Sequence, residues 1–399
     1  MKILFVLGFP NPFPGAAWTR IGFFAKDWSK KGHSVEALGT FTYKTLQKRG
    51  ARKIGRMNIF NLTFHMDLNH PLVFTLNSII SFIVSTLFLL TKKPNVTIVT
   101  VPSGDAGLGA LMACKLLKAR HVVDYRDEWE DYTTSLTSSR IWKSFYSALK
   151  KLMASLYTKC HLVVTVTPSF ANSLRSRGIT GVKVVPNGAD VTVFNPHDEH
   201  TVRKKLGLNE NDFIIVYGGL IGGYYKLDIV IRALAKLHDQ IRSVKLLIIG
   251  DGPDLPLILR LSKKLSLRNR VLYLGVKNDK NEIAEILSAG DIGIIPGAYT
   301  KGQLPAKFFE YCACGVPVIA AVNEDYILSN LINEHKVGLT VPPMDEEKLA
   351  QAIHWIYKNE LFRKAASKRA RSLIEEKFDR NIASNLFLNL IEQNVHGSG

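Results

Sequence analysis

The segment Leu304 to Ala320, L-P-A-K-F-F-E-Y-C-A-C-G-V-P-V-I-A, carries the side chains best spaced to do chemistry. Lys307 and Glu310 stand three apart, between Pro305 and Gly315. Pro305 suits the first turn of a helix and Gly315 suits its stop. The spacing predicts a helix from about Pro305, with the two charges on neighbouring faces near its start. A helix N-terminus has unpaired N–H groups and the positive end of the dipole, so it attracts phosphate. Lys307 adds a mobile positive charge there. Glu310 adds an acceptor suited to both hydroxyls of a ribose. Together they describe a pocket for a nucleoside diphosphate. The plain alternative is a solvated i,i+3 ion pair on an ordinary helix.

Other residues fit the same chemistry. Gly218, Gly219, Gly222 and Gly223 follow an apolar run ending near Tyr217, with Lys226 beyond them. Such glycines let backbone N–H groups approach phosphates closely; the alternative is a flexible loop without a ligand. Gly250-Asp251-Gly252-Pro253 forms a turn at another strand end. In the first half, Asp124-Tyr125-Arg126-Asp127-Glu128-Trp129-Glu130-Asp131 directly follows Val122-Val123. Asp127 is the first choice for a carboxylate that orients an acceptor hydroxyl or takes its proton. Arg126 could bind an acceptor phosphate, or pair with Asp124 or Asp127. A structural loop network would explain the same cluster. Gly15 and Ala16 have little side chain and could bring backbone amides close to donor phosphates. His33 and His161 are less attractive, one in a turn and one at a strand start.

These residues need a scaffold. Apolar, β-rich runs occur at 3–7, 34–38, 96–101, 121–124, 162–166 and 182–185, with helical stretches between most of them. A second series follows at 213–218, 244–249, 271–274, 292–295, 317–320 and 338–341. Alternating strands and helices argue for parallel sheets covered on both faces. The fold class is therefore α/β, with two Rossmann-like domains facing across a cleft. We place the domains at 1–195 and 196–378, with a helical segment at 379–399. An apolar content of 46% against 22% charged residues excludes a disordered chain. Met1–Leu7 is basic then apolar, but Gly8-Phe9-Pro10 breaks it without a small-x-small site, so it reads as a strand and not a signal peptide. Cys114, Cys160, Cys312 and Cys314 show no disulfide framework and no paired metal spacing. They read as core residues of a reducing, cytoplasmic compartment.

Several motifs together resemble the family 4 (group 1) glycosyltransferases, enzymes of the GT-B fold. They are the N-P-F-P-G-A-A loop at 11–17, K-K-G-H-S-V at 30–35, V-V-P-N-G-A-D-V-T-V-F at 184–194, I-I-G-D-G-P at 248–253, A-G-D-I-G-I-I-P at 289–296 and the Lys307–Glu310 segment. The 124–129 segment is similar to the D-x-R-D-x-W of one subgroup. The resemblance implies a retaining, metal-independent transfer of a sugar from a nucleotide-sugar to an acceptor hydroxyl. It needs no cofactor beyond that co-substrate, a UDP-sugar first among the candidates. It gives Lys307 and Glu310 the donor-side work and Asp127 the acceptor side. It places Val276–Asn278 near the nucleobase and returns the last helix to the first domain. Two departures stand out. Leu220 lies where many members have an arginine, if Lys226 matches their lysine. Gly302 lies where the first of two paired glutamates is expected, so Gln303, or the amides around Lys301–Leu304, would serve instead.

The charge is uneven. Up to Pro196 the chain has 25 Lys and Arg against 10 Asp and Glu; beyond it the counts are 27 and 24. Lys44, Lys48, Arg49, Arg52, Lys53 and Arg56 run without an acid, just ahead of an uncharged stretch at 71–91. That stretch is long enough to span a bilayer. Asn77 and several Ser and Thr dilute it, and a strand follows directly, so we read a buried or surface-lying helix. Basic residues beside an apolar helix are how a peripheral protein holds anionic lipid. Trp142, Phe145, Tyr146, Leu149, Met153 and Leu156 have helical spacing and read as packing on the first sheet. The expected partners are a nucleotide-sugar, a saccharide or lipid-linked acceptor and an anionic membrane surface. No nucleic-acid recognition motif occurs. An epimerase, a phosphorylase or a non-catalytic binding protein on the same scaffold would share most of these features.

Overall fold

The computed structural model describes residues 1–12, 15–68, 70–135, 137–237, 240–298 and 300–396. Phe13 and Pro14 of the 11–17 loop lie outside them, as does the end of the 379–399 segment. The chain forms two compact units, Met1–Pro186 with the chain from Asn381 onward, and Asn187–Arg380. The units divide at 186/187 and not at 195/196 because Ala189 and Phe194 are buried in the second unit's core.

In the first unit the order is β1 (Lys2–Val6), α1 (Ala16–Lys30), β2 (Ser34–Phe41), β3 (Gly50–Ile54), β4 (Met57–Phe64), α2 (Pro71–Lys92), β5 (Val96–Val101), α3 (Gly104–Leu116), β6 (His121–Tyr125), α4 (Trp129–Ser135), α5 (Arg140–Tyr157), β7 (Leu162–Thr165), α6 (Pro168–Ser176) and β8 (Lys183–Val184). The described strands form one sheet in the order β3-β4-β2-β1-β5-β6-β7-β8. All neighbours pair in parallel except β3 with β4. The chain runs outward both ways from β1 and β5, and ligands of such sheets gather at the carboxyl ends beside that reversal. Apolar residues of β5 and β6 alternate between two cores. Val99, Val101 and Val123 pack with α2, α3, α5 and α6, while Ile98 and Val122 pack on the opposite side with α1. There α15 (Arg380–His396) completes the layer. Its Phe387 meets Phe24 and Trp28 edge-on, at 5.9 and 5.6 Å between ring centroids.

Sequence reasoning missed the β3–β4 hairpin. Its first strand holds Arg52 and Lys53 of the basic run, and the chain turns at Gly55 with φ +57°. In β4 the buried positions Met57, Ile59, Asn61 and Thr63 alternate correctly for a strand, but two of the four are polar. Asn61 is buried because its side chain accepts from the Asn11 amide at 3.0 Å and donates to the Asn11 carbonyl at 2.8 Å.

The second unit runs α7 (Glu199–Lys205), β9 (Phe213–Leu220), α8 (Leu227–Lys236), β10 (Val244–Asp251), α9 (Leu255–Lys264), β11 (Val271–Tyr273), α10 (Lys280–Ser288), β12 (Ile292–Ile295), α11 (Ala306–Ala313), β13 (Val318–Ala321), α12 (Ile327–His335), β14 (Gly338–Val341), α13 (Glu346–Lys358) and α14 (Glu360–Leu373). Its sheet is parallel, in the order β11-β10-β9-β12-β13-β14. The reversal falls between β9 and β12, so the loops after Leu220 and Ile295 flank the expected ligand position. Arg371 of α14 anchors this region. Its guanidinium donates to the carbonyls of Ala313 at 2.7 Å and Phe194 at 2.8 Å, tying the end of α11 to the 184–194 segment.

Candidate functional site

Most of the residues expected on the donor side lie in the second unit, on the loops and helix around the reversal in its sheet; Gly15 and Ala16 lie in the first unit. α11 begins at Ala306 with Pro305 as its N-cap, and Gly315, at φ +72°, follows its end. Lys307 faces inward and is buried. Its ammonium lies 3.4 Å from the centre of the Tyr225 ring and 4.2 Å from that of Tyr217. It donates to the Tyr217 hydroxyl at 3.2 Å. A Cβ on Gly219 would stand 3.6 Å from that ammonium. Gly219 itself has φ +120°, a conformation that a side chain would strain. The lysine therefore sits against Gly219, near the carboxyl end of β9. Burial lowers its pKa to about 7, against the opposing charge of Glu310. The two tyrosine faces also favour the charged form.

Glu310 lies one turn further on and is half-buried. Among the described residues its carboxylate takes part in no ion pair, so the simple Lys307–Glu310 surface pair does not form. Burial raises its pKa, while the charges of Arg380, Lys280 and Lys307 pull it down. A carboxylate kept from close partners but held near three cations is suited to accept hydrogen bonds from a neutral diol.

The glycines divide by role. The Gly218 amide donates to the Tyr311 hydroxyl at 2.8 Å, so it is already engaged. Gly250 and Gly252 are needed for packing. A Cβ on Gly250 would stand 2.0 Å from the Gly219 carbonyl oxygen, and one on Gly252 2.1 Å from that of Ile221. Gly250→Ala should destabilise the protein by about 2–4 kcal/mol, measured by denaturant unfolding, because backbone must move. Gly222 and Gly223 lie in the turn before α8; Gly223 is exposed, while Gly222 is buried against Asp254 and Pro253. Lys226 is the N-cap of α8, with its side chain exposed and its amide donating to the Pro296 carbonyl at 3.2 Å. Gln303 donates to the Tyr224 hydroxyl at 3.3 Å, and Leu304 is buried. Val276 is exposed in the loop after β11, where the Gly275 carbonyl accepts from the Gly250 amide at 3.0 Å. A polar hollow of about 630 Å³ opens at the amino ends of β9 and β12 instead. There Arg203 and Arg363 are both tied to Asp291, at 2.8 and 3.2 Å, which marks a structural network.

In the first unit the acidic segment after β6 is sorted by its partners. Asp124 is fully buried and pairs with Arg20 at 3.2 Å. Arg177 reaches Glu128 at 3.5 Å, Glu130 at 3.5 Å and Asp131 at 3.1 Å. Arg126 donates to the Pro102 carbonyl at 3.2 Å and lies 3.9 Å from Asp124. Its cation is therefore largely committed within the unit. Among the described residues Asp127 is left with one local bond, from the Glu128 amide at 2.9 Å. Burial raises its pKa from the ordinary aspartate value, against the Glu128 amide bond and the Arg126 charge. Gly15 is the N-cap of α1 and Ala16 its first residue, both beyond the carboxyl end of β1. The side chain of Ala16 lies outside what is described.

Two features were not foreseen. The tyrosine cradle of Lys307 needs β9 and the loop after it to meet α11. The other is a polar network at the ends of β4 and β5. His65 lies 2.7 Å from Asp105, which also accepts from Asn77 at 2.9 Å and Ser103 at 2.6 Å. Burial alone would lower the His65 pKa, but the bond to Asp105 and its charge raise it. Among the described residues no group of three or more His, Cys, Asp or Glu is gathered to hold a metal ion.

Two Rossmann-like α/β units in one chain, each with a largely parallel sheet, define the GT-B class of fold. The family model for Glycosyl transferases group 1 matches residues 198–373, and that for Glycosyltransferase Family 4 matches residues 18–193. The chain belongs to the family 4 (group 1) glycosyltransferases. Sucrose-phosphate synthase from Thermosynechococcus elongatus superposes with a TM-score of 0.81 at 17% identity, over 100% of both chains. Anabaena HepE, solved in complex with UDP, superposes with a TM-score of 0.74 at 18% identity, over 98% of this chain and 100% of that one. N-acetyl-alpha-D-glucosaminyl L-malate synthase of Bacillus anthracis is 27% identical over 197 residues, 49% of this chain and 50% of that protein. The match thus spans about half the length of that relative.

Proposed function

We propose that this chain is a retaining hexosyltransferase that moves a sugar from a nucleotide-sugar, a UDP-sugar first, to a hydroxyl of a saccharide acceptor. The acceptor is lipid-linked, in glycan or surface polysaccharide assembly, and the protein works at the cytoplasmic membrane face. The observation that carries the donor half is Lys307, held by two tyrosine rings beside Gly219 near the carboxyl end of β9, just ahead of the Gly222–Gly223 turn. A diphosphate above that turn would restore the full charge that burial withholds from the lysine. HepE, of like fold, binds UDP, which supports the choice of base.

In the reaction the bond from the anomeric carbon to the β-phosphate oxygen breaks, and its electron pair stays on the diphosphate. A bond from that carbon to the acceptor oxygen forms, and the acceptor proton leaves. Lys307 and the turn amides stabilise the departing charge without a metal ion, the part preorganised donors play in transfer reactions. Glu310 holds the ribose. Asp127 orients the acceptor hydroxyl, and its raised pKa makes it the better proton acceptor.

Asp127→Asn should leave UDP affinity unchanged and lower kcat by about 10²–10⁴-fold. The wild-type acid limb of kcat should lie above the ordinary aspartate value and vanish in the variant. Near-normal turnover in Asp127→Asn would remove that assignment. The donor reading is tested by thermal shifts with UDP, GDP, ADP and CMP. UDP should stabilise selectively, by about 2.7 kcal/mol at a hundredfold excess over its Kd. Equal or absent shifts would contradict it. Leu220 and Gly302, at positions where relatives carry charge, favour one rival, a nucleotide-sugar binding protein. It would shift with UDP and transfer nothing.

A further inference from the structure

Helix α2 is built inside out. Its buried positions are Asn77, Ser78, Ser81 and Ser85 along most of its length, with Phe88 and Leu89 in the last turns. Leu72, Leu76, Ile79, Ile83, Leu87 and Leu90 recur every three or four residues on the other side and are 48–69% exposed. A surface helix in water shows the reverse pattern. The polar face meets α3 at close range. A Cβ on Gly109 would stand 2.3 Å from the Ser78 carbonyl oxygen, and Ser81 donates to the Ala106 carbonyl at 2.8 Å. Small residues at the contact with apolar residues outside is how helices pack in lipid.

The patch continues onto α3 through Met112 and Leu116, both exposed. No acid interrupts it. α2 contains none, and Asp105, the only one in α3, is buried against His65. Basic residues rim it instead. Lys93 ends α2, and Lys115 and Lys118 flank Leu116. Lys92 lies 3.6 Å from Glu36 and 4.5 Å from the Phe60 ring centre. Glu36 registers with Asn58, and Asn58 with Lys53, so the basic hairpin shares that end of the helix. α2 has the length and composition to cross a membrane. Its two ends, however, lead back into β4 and β5 of one sheet, so it lies along a surface.

We propose that this face docks on an anionic lipid bilayer, with α2 in the interfacial plane. Leucine and isoleucine side chains enter the acyl boundary, and the lysines and arginines at the rim meet lipid phosphates. Phe74, in the first turn of α2, stacks on Trp129 at 5.9 Å between ring centroids. Asp127 is two residues before Trp129. Docking therefore brings the acceptor-side carboxylate to the lipid headgroups, where a lipid-linked acceptor would present its sugar. That last consequence rests on the proposed function; the docking itself does not.

The test is flotation of the full-length protein with phosphatidylcholine vesicles containing about 30% phosphatidylglycerol. Wild type should float, and Ile83→Glu with Leu87→Glu should cut the bound fraction about tenfold or more. Lys93→Glu with Arg56→Glu should give a smaller loss, matched in wild type by about 0.5 M salt. The UDP thermal shift should be the same in all of them, which shows that they fold. Wild type that does not float, or flotation indifferent to the Ile83 and Leu87 changes, overturns the proposal. So does a dimer in sedimentation that those changes split, because the face would then cover a second copy. Flotation as expected without any UDP response would retain the docking and remove the donor reading.

Discussion

Lys307→Met should lower kcat/KM by about 10²–10³-fold and at the same time stabilise the protein without ligand. The two effects share one cause. Burial holds the ammonium near a pKa of about 7, against an ordinary value of 10.5. Between those values the unfolded chain binds more protons than the folded one, so stability rises with pH across that window. Methionine fills similar space among Tyr217, Tyr225 and Gly219 without charge, so the cost disappears. The melting temperature of the variant should rise by a few degrees near neutral pH, and its stability should lose that rise with pH. A lysine kept only for packing would give neither the loss of turnover nor the altered pH profile. Steady-state kinetics and thermal melts across pH check both halves.

Glu310→Ala should weaken UDP binding by about 1.5–3 kcal/mol, roughly 10–150-fold, the worth of hydrogen bonds to a charged group. The effect should appear in Kd and KM for the donor more than in turnover at saturation. A second signature comes from electrostatics. The Glu310 charge supports the Lys307 ammonium, so its removal pushes the lysine pKa lower still. The pH at which donor affinity starts to fall should then move down. Glu310→Gln keeps an acceptor and loses the charge, so it should recover part of the affinity and none of the pH shift. Calorimetry of UDP binding across pH separates the two contributions.

What the sequence disclosed was local. Lys307, Glu310, Pro305 and Gly315 lie within eleven residues, and one helix with ordinary start and stop rules brings them together. The alternating apolar runs fixed the two α/β series because buried parallel strands leave an unambiguous pattern. What it hid was contact between distant segments. The cradle of Lys307 uses Tyr217 within β9 and Tyr225 in the loop after it, about ninety and eighty positions away in sequence. Nothing local marks either as a partner. The packing demand on two of the glycines was hidden for the same reason. Gly250 and Gly252 look like phosphate-loop residues, yet β9 explains them. In α2 the Ser and Asn residues looked like dilution of an apolar stretch. They are in fact the buried face, a reversal that only the packing of α3 discloses. The acids at 124–131 could not be ranked until Arg20 and Arg177, from other elements, claimed all but Asp127.

The central claim is that a diphosphate completes the charge of Lys307. It is tested most directly by titrating UDP calorimetrically at about pH 8, in two buffers of different ionisation enthalpy. At that pH the empty site holds Lys307 mostly neutral. UDP binding should take up close to one proton per UDP, with an affinity that falls by up to about tenfold per pH unit above neutrality, and Lys307→Met should show neither effect. UDP binding without proton uptake, or the same uptake in Lys307→Met, would contradict it.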